Sequence, residues 1–524
     1  MKITNVLMIQ PKTPQTFWSH DNSLKAAGYK TVMPPLGLMT VAAMLPEHYK
    51  VKLTDLNVGD LDLRDVDNSD VVFLTGMWIH QESFITVLRI CHERGKTVVA
   101  GGPFMQSAYG LPGRDHLELD KIDHLILSEA ENNLPHFLRD FEQGKAKKIY
   151  NNQEKPDLVH TPPPRFDLIR PNDYFSMSLQ FSRGCPFNCE FCDIIQMFGR
   201  VPRTKSSEQF MREIEALYAT GYRGRLFIVD DNFTANRKAV KNMLRLLAVW
   251  QEERGYPYLL FTEASIDMTG DQELLDLMVR SGFTSVFVGI ESPDITTLRA
   301  TNKSMNVTCD MNAAIEKIQR VGIEVMGGFI LGFDTDTDDV FDRQLNFIRE
   351  NAIVQSMVGL LTAMPHTDLY KRLAKEGRLL EESQCKGDNV DTALNFVPRM
   401  PAEKLIEGYR RLIAETYDPR NYFARASKLL SRLPYLKLSD LRKAEPWRKK
   451  LSISKITINQ NWVRLIYEFI KLCFSAYGIR GLMFVIKSLR FGLLTLPVSI
   501  EFAFRGLHYI SVAKKIIHAA DPQK

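Results

Sequence analysis

Cysteine is scarce in this chain, with seven residues in 524, an odd number. That sparseness excludes a secreted disulfide framework and suits a reducing compartment. Long apolar runs are lacking too. The opening stretch Met1–Pro11 is too short in apolar character for a secretory signal and reads better as a first strand. Near the carboxyl end, the longest uncharged stretch is Phe491–Ile500. A membrane-spanning helix needs about 20 residues, so this region does not span a bilayer, although it can lie on one. The expected location is the cytoplasm, with peripheral contact at the inner face of the membrane as a second expectation. Acidic residues are what the last hundred positions lack: residues 421–524 hold 19 Lys+Arg against 5 Asp+Glu, while the whole chain is only +5. A basic end on an acidic body signals a partner. An anionic membrane, a nucleic acid, or solvent around a charged cap would each suit it.

What cysteine there is carries a pattern. Cys185, Cys189 and Cys192 lie in the run Ser182-Arg183-Gly184-Cys185-Pro186-Phe187-Asn188-Cys189-Glu190-Phe191-Cys192-Asp193. Thiolates ligate iron–sulfur clusters. Three on one short loop can hold three irons of a cubane and leave the fourth open to a substrate. Structural zinc wants four ligands, and no fourth Cys or His lies near the loop. Cys91, Cys309, Cys385 and Cys473 are distant and unpatterned.

The length allows two to four domains. Residues 1–150 alternate short apolar runs with helical patterns: strands at Val6–Gln10, Val51–Leu56, Val71–Thr75, Thr97–Ala100 and His124–Ser128, helices at Leu36–Leu45 and Phe84–Arg94. That alternation predicts a doubly wound parallel sheet, whose ligands lie beyond the carboxyl ends of the strands. Residues 151–170 are proline-rich and predict a linker. Residues 171–375 repeat the alternation, with strands at Met177–Ser182, Leu226–Val229, Tyr258–Thr262, Ser285–Gly289, Glu324–Leu331 and Val358–Thr362. Helices lie between, as at Ser207–Thr220 and Arg237–Glu253. Six βα units predict a partial (β/α)6 barrel with chemistry at the carboxyl ends of its strands, and the cysteine loop follows the first of them. Residues 376–524 predict a basic, mostly helical domain, with Trp462–Arg490 mixing apolar residues with Arg464, Lys471, Arg480, Lys487 and Arg490. The fold class expected is therefore α/β with a helical carboxyl-terminal domain.

The three-then-two cysteine spacing, with Phe191 just before the third Cys, resembles the radical S-adenosylmethionine (SAM) superfamily. Other runs in the barrel resemble it as well. Phe227-Ile228-Val229-Asp230-Asp231-Asn232 ends the second strand, where the resemblance implies a hold on the methionine ammonium of SAM, a group that a carboxylate suits. The same residues also read as a helix N-cap. Glu263 ends the third strand. Gly289-Ile290-Glu291-Ser292 ends the fourth and resembles the family's ribose-contacting element. Gly327-Gly328-Phe329-Ile330-Leu331-Gly332 resembles the fifth-strand segment beside the adenine, with Asp334-Thr335-Asp336 where the family often has Glu. Ala363–Tyr370 resembles the segment that closes such barrels. The implied SAM-binding residues are Phe191, Asp230, Asp231, Glu263, Glu291, Ser292, Gly328 and Gly332.

The amino-terminal domain resembles the cobalamin-binding domains that precede a subset of these enzymes. The resemblance implies cobalamin contacts at Leu36, Gly37, Asp55, Thr75, Gly76, Met77, Gly101, Gly102, Pro103 and Glu129. Domains that ligate cobalt by histidine carry Asp-x-His-x-x-Gly; here Asp55-Leu56-Asn57-Val58-Gly59 has Asn57 where His would be, so no lower imidazole ligand is expected from this site. Thr16-Phe17-Trp18-Ser19, the Pro34-Pro35-Leu36-Gly37 segment and the tail extend the resemblance over nearly the whole chain, to the group that includes the hopanoid C-2 methylases and relatives with a similar carboxyl-terminal domain. The resemblance implies three cofactors: a 4Fe-4S cluster, SAM and cobalamin. The cluster on Cys185, Cys189 and Cys192 reduces SAM to give a 5′-deoxyadenosyl radical, which takes a hydrogen from an unactivated carbon, and methylcobalamin then supplies a methyl group. It further implies a flavodoxin or ferredoxin as electron donor. The basic, apolar tail fits a lipid-like or polycyclic small-molecule substrate. A non-methylating cobalamin radical enzyme, such as a cyclase, shares these motifs. A tRNA-modifying enzyme fits less well: the amino-terminal domain has only Cys91, too few for a second cluster, so nucleic acid is not the expected partner. Changing Cys185, Cys189 or Cys192 to Ala should abolish reductive SAM cleavage; 5′-deoxyadenosine formation retained in any one of them would overturn the assignment.

Overall fold

A computed structural model describes residues 4–111, 115–380, 390, 392–434, 442–457, 467–468, 470 and 476–518. Cys385, Cys473, Arg464 and Lys471 lie outside these residues, as does the beginning of the basic helical stretch read from Trp462.

Six parallel strands build the first sheet: β1 (Asn5–Gln10), β2 (Lys50–Asp55), β3 (Val71–Thr75), β4 (Thr97–Gly101), β5 (His124–Ile126) and β6 (Ile149–Tyr150), in the order β2-β1-β3-β4-β5-β6. The inner strands β3 and β4 are near-continuous apolar runs, Val71-Val72-Phe73-Leu74 and Val98-Val99-Ala100. They are buried because helices cover both faces of a parallel sheet. The two-residue β6 was not expected from the sequence, since its short run carries no period. In this strand order the crevice lies between β1 and β3, where the winding reverses.

A second parallel sheet runs β14-β13-β12-β11-β10-β7. Its strands are β7 (Ser176–Leu179), β10 (Gly224–Ile228), β11 (Tyr258–Glu263), β12 (Phe283–Glu291), β13 (Glu324–Leu331) and β14 (Ser356–Leu360). Leu226, Ile228, Leu260, Val286 and Val288 pack outward into the core under the helices. By alternation Phe227, Phe261 and Phe287 point into the lumen, where they stay partly accessible. Phe227 and Phe261 stack there with ring centroids 4.7 Å apart and planes 4° apart. The run expected to continue the first barrel strand through Ser182 breaks instead. Ser182-Arg183 (β8) pairs antiparallel with Arg203-Thr204 (β9), forming a small ribbon that carries the cysteine loop.

β7 and β14 end this sheet and do not pair, so the barrel is open along one side. The chain between β1 and β2 lies along that side. Thr31 bridges Tyr174 in parallel, Phe175 N donates to Thr31 O at 3.0 Å, and Ser176 N donates to Val32 O at 2.8 Å. These bonds satisfy backbone groups on the free edge of β7. Just upstream, Phe17 stacks on Tyr509 at 4.8 Å, and Trp18 meets Phe287 edge-on at 5.3 Å.

The carboxyl-terminal helices Pro419–Arg432 and Thr495–His518 close the opposite end of the barrel. Arg505 makes a double hydrogen bond with Glu324 at the start of β13 and reaches Gln355 at 2.7 Å. The Tyr417 hydroxyl caps Ser356 at the start of β14. Among the described residues, no helix is long and apolar enough to cross a membrane. Phe17 is buried between these helices and the lumen, and removing a buried aromatic ring typically costs about 3–5 kcal/mol. Phe17→Ala should lower the thermal midpoint by several degrees and speed tryptic cleavage between residues 11 and 33; an unchanged midpoint and digest would show that this segment is not an anchor.

Candidate functional site

The cysteine loop has little regular structure, so its backbone depends on side chains elsewhere. Asp230, one residue past Val229, accepts from Phe181 N at 2.7 Å and Ser182 Oγ at 2.6 Å. Asp231 accepts from Gly184 N at 3.0 Å. Gly184 sits at φ +94°, and a Cβ there would lie 2.9 Å from the carbonyl of Gly199, so only glycine fits this turn. Cys185 N donates back to the same carbonyl at 3.3 Å. On the far side, Glu190 N donates to Thr301 O, Leu369 N donates to Glu190 O, and the Glu190 carboxylate pairs with Arg372 at 2.5 Å.

Burial pushes the Cys189 thiol up, with Lys303 opposing, and burial pushes Cys192 up further. The thiols lie near enough for Cys185 to act on Cys189 and Cys189 on Cys192. The Asn232 amide points at Cys185 Sγ from 3.8 Å. Among the described residues, no three His, Cys, Asp or Glu side chains close to the spacing of one metal ion. A cubane seats each thiolate on a separate iron and does not need that spacing, and an all-thiolate donor set suits it. The loop fits the cluster.

Carboxylates gather at the strand ends beside the loop. Burial lifts Asp230 to about 7 and Asp231 to about 6. Glu263 rises to about 7, first through burial and then through the charges of Asp231 and Glu291. Glu291 sits at φ +62° and pairs with Lys303 Nζ at 2.7 Å. Burial alone would lower Lys303, but Glu291, Cys189 and Cys192 raise it. Acidic groups facing one another without enough cation between them suit a cationic ligand such as SAM, which carries an ammonium and a sulfonium.

The residues expected to touch SAM separate into two sets. Glu263, Asp231, Glu291 and Phe191 stand around the loop. Phe191 meets Phe333 at 5.8 Å and lines a cleft of about 290 Å³ with Thr301, Phe333, Asp334 and Leu361. Others are engaged inside the protein. Asp230 is 1% exposed and holds the loop. Ser292 is buried and accepts from Asp294 N at 3.2 Å. A Cβ on Gly328 would lie 2.6 Å from the Phe287 ring, so that glycine makes room for a side chain of the barrel. Gly332 turns at φ +103° against Leu405.

In the amino-terminal domain, Thr75 ends β3 and Gly76 and Met77 follow it, and Gly101 ends β4 and Gly102 and Pro103 follow it, all at the carboxyl edge of the sheet. Met77 is 53% exposed there, an apolar side chain facing outward. Nothing stands within 4 Å of a Cβ built on Gly37, beside Leu36 at the start of the helix Leu36–Ala43. The exposed Met77 and Pro103 leave this edge partly apolar, which fits a large planar cofactor, while the strand-end glycines are filled from within: a Cβ on Gly101 would lie 2.9 Å from Ile126 O, and one on Gly102 would strike Thr75 Oγ1. Asn57, at the position where His would ligate cobalt, has both ends of its amide engaged: it donates to Asp55 Oδ1 and Pro11 O and accepts from Thr13 N. Two expected contacts are turned away. Asp55 is buried and accepts from the Tyr174 hydroxyl at 3.1 Å. Glu129 is buried between Arg183 at 2.7 Å and Arg203 at 2.7 Å, and Glu131 joins Arg183 at 2.8 Å. These bonds tie the end of β5 to the ribbon that carries the cysteine loop, so the carboxyl edge of the first sheet faces the mouth of the barrel. His80 had no signal in the sequence. It spans the crevice between β1 and β3, accepting from Met77 N at 3.0 Å and meeting Thr13 Oγ1 at 2.9 Å. Burial lowers it to about 4, which keeps it neutral.

Comparison with known proteins meets this geometry. The sequence model of the Radical SAM superfamily matches residues 179–348, and that of a domain of unknown function, DUF4070, matches residues 367–521. The chain is 43% identical over 420 residues to a Synechocystis protein described as an uncharacterized methyltransferase, covering 80% of this chain and 77% of that one. It is 33% identical over 420 residues to the hopanoid C-2 methylase of Rhodopseudomonas palustris, covering 79% of this chain and 77% of that one. The chain belongs to the radical SAM methyltransferase family that includes this methylase. The fold agrees: the radical SAM methyltransferase TsrM from Kitasatospora setae, solved with cobalamin and a [4Fe-4S] cluster bound, aligns over 93% of this chain and 99% of its own with a TM-score of 0.62 at 14% identity.

In this radical SAM enzyme the Glu263 carboxyl makes a measurable mark. Its value in the fold, about 7, lies above its ordinary 4.5. Its protonated form is therefore favoured by folding, and stability falls as pH rises from about 4.5 to about 7. In protein without SAM, Glu263→Gln should raise the thermal midpoint at pH 8, and the gain should shrink towards pH 5; a gain that does not change with pH would show that Glu263 is not strained in the ionised form.

Proposed function

We propose that this enzyme transfers a methyl group to an unactivated carbon of an apolar small molecule, lipid-like or polycyclic, using a 4Fe-4S cluster, SAM and cobalamin. The observation that supports this best is one of placement. The cysteine loop, the acidic strand ends and the open edge of the amino-terminal sheet meet at the mouth of one barrel whose lumen is lined by phenylalanine. When bound, the cluster and SAM supply a hydrogen-abstracting radical, and cobalamin supplies the methyl group; the cofactors carry the hard chemistry and the protein orients them.

The chain's own residues have definable tasks in this reading. Cys185, Cys189 and Cys192 would hold iron. Asp231 holds the loop backbone at Gly184 and, with Glu263, would face the cationic groups of SAM. Glu291 and Lys303 form a buried pair beside the thiolates and fix the end of β12. Phe191 and the cleft behind it, which also carries Thr301 and Asp334, suit the flat adenine ring. Phe227, Phe261 and Phe287 exclude water from the lumen and offer ring faces to an apolar substrate, which gains about 25 cal/mol for each Å² of apolar surface removed from water. Leu36, Gly37, Thr75 to Met77 and Gly101 to Pro103 would line the corrinoid face. Asn57 would offer cobalt no imidazole, and its amide is already engaged within the protein.

Anaerobic reconstitution with iron, sulfide and cobalamin, followed by mass spectrometry with methyl-labelled SAM and an extract of apolar metabolites, tests the reading. The expected product gains one methylene unit and carries the label; 5′-deoxyadenosine formation with a product of unchanged carbon count would replace methylation with a cyclase or rearrangement.

A further inference from the structure

The helix Ala476–Ser488, the turn Leu489–Phe491 and the first turn of the helix Thr495–His518 form one continuous edge of the carboxyl-terminal domain. The inner face of this edge is well packed. Phe484 stacks on Phe423 with centroids 4.9 Å apart, Val485 is buried, and Ser488 bonds Ser499 at 2.6 Å. On a solvent-facing helix the opposite face should then be polar. It is not. Ile479 is 55% exposed, Met483 49%, Ile486 58%, Leu489 39%, Leu493 65% and Leu496 41%. Ile479, Leu482, Met483 and Ile486 share one face of the first helix by their three- and four-residue spacing, and Leu489, Leu493 and Leu496 continue the exposed apolar stretch along the chain through the turn into the next helix; such a stretch marks an interaction surface.

The charges of the row choose the partner. From residue 469 to residue 500 the sequence holds no Asp or Glu, while Arg480, Lys487 and Arg490 are set among the apolar residues. Lys487 is exposed beside Ile486, and the Arg490 guanidinium lies 4.6 Å from the Phe491 ring centroid. A second copy seated across this row would bring the same cations, Arg480, Lys487 and Arg490, to both sides with no carboxylate of residues 469–500 between them, because an isologous contact uses one patch on both subunits. No helix among the described residues can cross a bilayer. An apolar stretch whose own charged residues are all cations fits a surface that is apolar inside and anionic outside.

We propose that the row Ile479–Leu496 seats on the surface of an anionic lipid bilayer. Ile486, Leu489 and Leu493 enter the boundary of the acyl chains, and Lys487 and Arg490 meet the headgroup phosphates. This is independent of the methyl-transfer reading, because the row lies on the capping domain and away from the barrel mouth.

Full-length protein would be sedimented with vesicles of phosphatidylcholine containing phosphatidylglycerol, and with vesicles of phosphatidylcholine alone, at low and high salt. Binding is expected to the anionic vesicles and to weaken with salt. The double variant Lys487→Glu with Arg490→Glu should lose at least about tenfold in partitioning, since each basic side chain near such a surface contributes on the order of 1 kcal/mol. Ile486→Ser with Leu493→Ser should lose a similar amount while keeping the wild-type thermal midpoint and the wild-type rate of SAM cleavage. Absence of binding, equal binding to both kinds of vesicle, or binding unchanged in both variants would overturn the proposal. So would a wild-type dimer that Ile486→Ser breaks, which would assign the row to a second copy.

Discussion

A loop that must present three thiolates cannot also satisfy its own backbone, and this chain meets that constraint with two carboxylates placed side by side at the end of β10. Asp230 takes the backbone and hydroxyl donors before the loop, and Asp231 takes the amide of Gly184 within it. A carboxylate accepting from backbone N–H groups makes a stronger bond than a neutral acceptor. It also brings charge into a buried place, where desolvation works against it. Both effects appear together here. The loop is fixed, and Asp230, Asp231 and Glu263 all stand above their ordinary values. Lys303 offsets part of that charge, but its nearest bond is to Glu291. The mouth of the barrel is thus built with an excess of negative character, which a cationic ligand relieves on binding.

The same loop governs how the two sheets meet. Arg183 precedes Gly184 and Arg203 stands across the ribbon, and both turn to Glu129 at the end of β5. A buried ion pair gives little net stability against an apolar replacement, but losing one partner leaves the other charge stranded at a cost of about 3–5 kcal/mol. The arrangement therefore gives position more than strength: only one placement of the first sheet satisfies Glu129, Arg183 and Arg203 together. The segment between β1 and β2 adds a second tie on the other side of the barrel, where Thr31 and Val32 pair with the edge of β7 and Phe17 packs on Tyr509. Between these two ties, the carboxyl edge of the first sheet has little freedom to face anything except the barrel mouth.

Much of this was legible in the sequence because it is local. Glu324–Leu331 and Arg237–Glu253 stand in the structure with the limits read from their patterns, one a β run holding a glycine pair and the other a long 3.6-residue period. The cysteine spacing carried its meaning in eight residues. What was not legible depends on partners far away in the chain. Glu129 reads as a strand-end carboxylate until Arg183 and Arg203 arrive. Gly328 reads as space for a ligand until Phe287 takes it. A lone His80 has no period to announce it. The break after Leu179 was hidden because Phe181 and Ser182 have strand-like character, and only the ribbon with Arg203 shows that the chain turns there.

The basic tail shows how one composition can serve two ends. Capping helices and surface helices both carry positive charge, and a count cannot divide them. Burial and bonding do. Arg425 is buried and donates to Ile353 O at 2.9 Å, Arg432 reaches Gln319 at 2.6 Å, and Arg505 holds Glu324. These three are fixed to the backbone and acidic groups at the closed end of the barrel, where they complete the strands from below. Lys487 and Arg490 are exposed on the outside of the same domain, beside the exposed Ile486, Leu489 and Leu493; Arg490 reaches Ser427 Oγ at 3.3 Å and keeps its other donors for solvent or a partner. A cation that caps a barrel is buried against its acceptors, and a cation on an apolar ridge stays open to one beyond the protein. The tail contains both kinds, and they occupy different faces.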